Sequence, residues 1–135
     1  MRQVPYLRAA TLLWGLYALV WLSLEGDVAR DGVLAGWGLA LLALWAARRW
    51  GGRCVSAGRA ATLGAAAGLA WGAALGPAVL LLMAIKTGLH AHGPEYSAAQ
   101  IAAVVGQWPL WIGAGVLAGA GVGLLAVALA GDVEP

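Results

Sequence analysis

Charge is what this chain lacks most. Charged residues make up 10% of its 135 residues, where soluble domains carry about 25%. So small a supply cannot cover a water-facing surface, which excludes a soluble domain and makes lipid the solvent that fits. Phenylalanine is absent although tryptophan occurs eight times, a bias to which no mechanism attaches. The one cysteine, Cys54, rules out an intrachain disulfide and a thiolate metal cluster, and reads as an ordinary reduced thiol. No CxxC, nucleotide-binding glycine signature or helical HExxH occurs, so no redox, nucleotide or zinc-hydrolase motif offers itself. The net charge of +2, from 8 Lys+Arg against 6 Asp+Glu, gives no reason to expect nucleic acid as a partner.

What is present is 62% hydrophobic residues, gathered into uncharged runs. They cover residues 9–24, 32–47, 60–85 and 110–130. The first follows Arg2 and Arg8 in the manner of a signal peptide. It ends in Trp21, Leu22, Ser23, Leu24 and Glu25 without an Ala-x-Ala site, so it is expected to remain as the first membrane span. Pro5 can open that helix at its first turn. The third run has 26 residues, about 39 Å of helix, and Pro77 is expected to kink it.

Ahead of the fourth run, Ser97 and Gln100 have the spacing of a capping box. Ile101, Val104, Val105 and Trp108 then fall on one helical stripe before Pro109. This predicts a short interfacial helix over 97–107, or a kinked continuation into the fourth span. The expected fold is therefore all-α: one integral membrane domain of four transmembrane helices forming a bundle, with that short helix in the outer loop between the third and fourth.

Basic residues orient it. Arg48, Arg49, Arg53 and Arg59 lie between the second and third runs, whereas Arg30 is alone in the first connection and Lys86 in the third. The positive-inside rule puts the arginine cluster in the cytoplasm, and both termini with it. The expected location is a cell membrane, taken as the bacterial inner membrane. The cluster can also attract anionic headgroups.

Glycine is the packing signal. Gly64, Gly68, Gly72 and Gly76 recur every fourth residue in the third run, and Gly115, Gly119 and Gly123 do so in the fourth. Helices without Cβ atoms approach closely, and in lipid that approach is a main source of association. The plainer expectation is that these two faces pack on each other within the chain. The alternatives are a partner-docking face or a pore wall.

The four uncharged runs contain no Asp, Glu, Lys, Arg or His. Ion-coupled carriers and proton relays place such residues in the membrane, so the pattern speaks against a multidrug exporter and against haem held by intramembrane histidines. Candidate chemistry gathers in the third connection, where Lys86, His90, His92 and Glu95 lie close in sequence. In an extended segment the two imidazoles point to one side. With Glu95 they form a weak Zn²⁺ or Cu²⁺ donor set that lacks a fourth ligand. Otherwise they are interfacial polar residues, and Lys86 is a snorkelling anchor. No nucleophile and base pair can be assembled, so an enzyme is not expected and no cofactor is predicted.

Three functions follow in order. The first is a small accessory, structural or assembly subunit of a larger membrane complex, partnered by lipid and by other subunits or copies of itself. The second is an outer-face metal- or ligand-binding protein using the Lys86, His90, His92 and Glu95 loop. The third is a homo-oligomeric channel or carrier built on the glycine faces.

Overall fold

The computed structural model describes residues 5–24, 26–50, 56–89 and 95–131, excepting the side chains of 5, 48–50 and 129–131. These residues form four α-helices: α1 (Pro5–Ser23), α2 (Val28–Trp50), α3 (Ala57–Leu89) and α4 (Ala98–Gly131). All four are long and apolar enough to cross a membrane. The chain runs antiparallel from helix to helix, which gives the molecule two ends. The C-terminus of α2 and the N-terminus of α3 lie at one end, the basic end. The C-termini of α1 and α3 and the N-termini of α2 and α4 lie at the other, the polar end.

The helices overrun the bounds expected from the uncharged runs. At about 1.5 Å per residue, the 33 residues of α3 and the 34 of α4 are each some 50 Å long, well beyond a ~30 Å hydrocarbon core. Local hydrogen bonds set several helix starts. Asp27 caps α2, with Oδ1 accepting from Ala29 N at 2.8 Å. Ser97 and Gln100 close the capping box of α4: Gln100 N donates to Ser97 Oγ at 3.2 Å and Ser97 N donates to Gln100 Oε1 at 2.8 Å. The box therefore opens a full-length helix. No separate interfacial helix stands over 97–107, because residues 98–131 are one helix that contains Pro109.

Pro77 likewise lies inside α3, which continues to Leu89. A proline withdraws the amide that would bond the carbonyl four residues earlier, here Ala73. Trp108 of α4 replaces it, with Nε1 donating to Ala73 O at 3.0 Å. Gly76 makes room for the indole, since an added Cβ would lie 2.9 Å from Trp108 Cγ. The Gly76–Pro77 pair is thus a receptacle for Trp108, and the freed carbonyl is satisfied between the two helices, as a span in lipid would require.

Packing runs between consecutive helices and is uneven: α3 on α4 is the most extensive, α2 on α3 less, and α1 on α2 least. On α3, Gly64 faces Gly119 and Gly123, Gly68 faces Gly115, and Gly72 faces Trp111 and Ile112, so that an added Cβ would strike the opposing backbone. Gly36 of α2 packs against Trp71 and Leu75. On α1, Trp14 lies over Gly38 and donates Nε1 to Leu34 O at 2.9 Å, while Tyr17 stacks on Trp37 with centroids 6.4 Å apart. The buried core of Ala35, Leu75, Val79, Met83, Tyr96 and Val104 joins α2, α3 and the start of α4, displaced toward the polar end.

Candidate functional site: a buried polar cluster where helix ends meet

The last turn of α1, the first turn of α2, the last turn of α3 and the segment leading into α4 converge at the polar end. Each contributes a buried polar or aromatic side chain. Asp31 and Lys86 are both fully buried, Trp21 is 3% exposed and Tyr96 6%. Helix termini make such burial tolerable: Asp31 sits in the first turn of α2 and Lys86 in the last turn of α3, where the peptide dipoles favour their charges.

Trp21 is the hub. Lys86 Nζ donates to the Trp21 carbonyl oxygen at 2.8 Å and lies 4.8 Å from the centre of its ring. That combines a charge-assisted hydrogen bond with a cation–π contact. The indole Nε1 of the same residue donates to Asp31 Oδ1 at 2.6 Å. One tryptophan therefore stands between the buried ammonium and the buried carboxylate. Beside it, Gly26 N donates to Glu95 Oε2 at 2.8 Å, tying the first connection to the third. An added Cβ at Gly26 would meet Glu95 Oε2 at 2.8 Å and the Tyr96 ring at 3.0 Å, so glycine is what lets the two segments close.

Asp31 Oδ2 and Tyr96 Oη are buried side-chain oxygens that lie near one another without a well-aligned hydrogen bond among the described residues. The Tyr96 phenol is pushed well above its ordinary pKa, first by burial, then by the Asp31 carboxylate it faces and by Glu95. It stays protonated, a neutral donor held near an anion. Chemically the cluster can hold or pass a proton, bind a small polar group, or clip the helix ends together.

The expected site residues fare differently. Lys86 is not a snorkelling anchor: it points inward and is fully buried. Glu95 joins the same cluster, while His90 and His92 lie outside the described residues. Among the described residues there is no group of three or more His, Cys, Asp or Glu side chains able to hold a metal. Arg59 is exposed near the start of α3, Arg48 and Arg49 belong to the last turn of α2, and Arg53 lies outside the described residues. The absence of ionisable residues from the uncharged runs does not extend to the helices, since α2 takes in Asp31 and α3 takes in Lys86.

Trp21, Asp31 and Tyr96 escape a reading by uncharged runs. A stripe would have found the carboxylate: Asp31, Leu34 and Ala35 are spaced i, i+3, i+4 and all are buried, one helical face. Lys86 continues the buried α3 stripe of Leu75, Val79 and Met83 in the same way. Tyr96 carries no comparable local signal.

Comparison with protein-family models, curated proteins and solved structures finds no match to this chain.

Proposed function

We propose that this chain is a small accessory, structural or assembly subunit of a larger complex in a cell membrane, the inner membrane if the source is bacterial. Both termini face the cytoplasm in this reading, and the protein acts by joining other membrane subunits or further copies of itself. The observation that carries the proposal is the state of α1. Trp21 is its one buried side chain among those described, while Leu12, Leu13, Leu16, Leu19 and Val20 are each more than half exposed. Lipid provides no hydrophobic drive between helices, so a span is held in place by packing. This span packs on α2 through Trp14 and Tyr17 and at its end through Trp21, which leaves a long flank open to helices of another chain.

The test is mild-detergent purification of the tagged native protein, with identification of what accompanies it. A stoichiometric partner is expected, retained at least about tenfold less when Leu12, Leu16 and Leu19 are replaced together by alanine; a loss of buried contacts worth ~1.4 kcal/mol is enough. Arrival as a lone monomer would refute the subunit reading.

A second reading, an outer-face metal or ligand site, draws on the buried Asp31 Oδ2 and Tyr96 Oη beside Lys86 and Glu95. It predicts Zn²⁺ or Cu²⁺ near one ion per chain by elemental analysis, lost from the combined His90→Ala and His92→Ala variant. Equal metal content in the two proteins ends it. A channel or carrier built on glycine faces has no comparable support, because those glycines face one another within the chain.

A further inference from the structure

An apolar cleft of about 620 Å³ opens between α2 and α3 toward the basic end. Its walls are Ala43, Ala46 and Ala47 from α2, and Leu63, Ala67 and Ala70 from α3. The alanine side chains are too short to fill the space between the helices, and the volume falls within the roughly 300–1,000 Å³ of small-molecule clefts.

Its depth is informative. Along α3 the cleft runs from Leu63 to Ala74, about 17 Å of helix. That is close to one leaflet, half of a ~30 Å hydrocarbon core. Trp71 closes its inner end, where Gly36 meets Trp71 and Leu75 and the buried core begins. A helix of another chain crossing the whole membrane could not follow so short a cleft. An acyl chain of one leaflet can.

Its mouth carries positive charge, since Leu63 lies one turn from the exposed Arg59. The first turn of α3 has no acidic residue, and its hydrogen bonding begins with Ala60 N donating to Ser56 O at 2.8 Å. The positive end of a 33-residue helix therefore adds to Arg59.

We propose that this cleft is a binding site for an anionic phospholipid, with one acyl chain between α2 and α3 and the phosphate against Arg59 and the start of α3. The proposal goes beyond the subunit reading and does not depend on it.

The test uses the full chain, delipidated in a neutral detergent and equilibrated with equimolar phosphatidylglycerol and phosphatidylcholine, with bound lipid read by native mass spectrometry. Phosphatidylglycerol is expected to bind preferentially, at one per chain. Arg59→Gln, which leaves the cleft shape intact, is expected to cut that preference about fivefold. Ala67→Trp, filling the cleft, is expected to remove bound lipid of both kinds while helicity and melting temperature hold. Equal binding of the two lipids, or a preference unchanged by Arg59→Gln, overturns the proposal. A photo-reactive residue at position 67 that crosslinks in native membranes to a second protein, and not to lipid, would overturn it as well.

Discussion

Gly68→Leu should separate α4 from α3. An added Cβ at Gly68 already strikes the Gly115 carbonyl and comes within 2.6 Å of its carbonyl carbon, both of them backbone atoms that cannot rotate away. A leucine would have to push the helices apart along the whole glycine face, breaking the contacts of Gly64 and Gly72 and withdrawing Trp108 from Ala73 O. Overpacking alone commonly costs about 1–3 kcal/mol. Here the best-packed pair of helices is lost with it, so a destabilisation of about 3 kcal/mol or more is expected. The measurement is SDS-driven unfolding in mixed micelles, followed by tryptophan fluorescence. Gly113 is the control: a Cβ there meets nothing within 4 Å, and Gly113→Ala should be neutral or mildly stabilising through helix propensity. A Gly68→Leu protein that unfolds at the wild-type SDS fraction would mean that the backbones do not approach this closely.

The second large effect is expected at Lys86. Replacing it with methionine keeps a long flexible side chain in the buried position but removes the ammonium that bonds Trp21 O and covers its ring. The Asp31 carboxylate then stays buried without the neighbouring positive charge, holding the Trp21 indole as its hydrogen-bond donor. Removing one side of a buried charge arrangement costs about 3–5 kcal/mol. Adding Asp31→Asn to Lys86→Met should recover part of that loss, because a neutral amide needs no compensating charge. A double-mutant cycle measures the recovery, with an expected coupling above about 1 kcal/mol. Additive losses would show that the two groups do not sense one another across Trp21. The experiment also bears on the role of the cluster. A clip for helix ends loses stability in these variants, whereas a site for a small polar group loses binding as well.

Much of this architecture can be read from short stretches of sequence, for reasons that are local. A run of uncharged apolar residues determines a span because the bilayer acts on each helix separately. The Ser97 and Gln100 capping box depends on atoms three residues apart, and its geometry follows from spacing alone. What it opens does not. The box and the stripe after it allow either a short helix ending near Pro109 or a continuation into the fourth span, and α4 runs through that proline to Gly131. Proline tolerance is settled by neighbours, as the bond from Trp108 to Ala73 O shows at Pro77.

The chain by itself thus determined the four apolar helices, the concentration of arginine at one end and the glycine spacing that permits close approach. Only the tertiary structure decided that Lys86 is buried against Trp21, that Asp31 is buried on the other side of that contact, and that an apolar cleft lies between α2 and α3 toward the basic end. The reason is separation along the chain. Lys86 meets a carbonyl 65 residues away, and Gly26 meets a carboxylate 69 residues away. Whether a charge at a helix end reaches water or turns inward depends on which other helix ends arrive beside it, and hydropathy along one segment carries no record of that meeting.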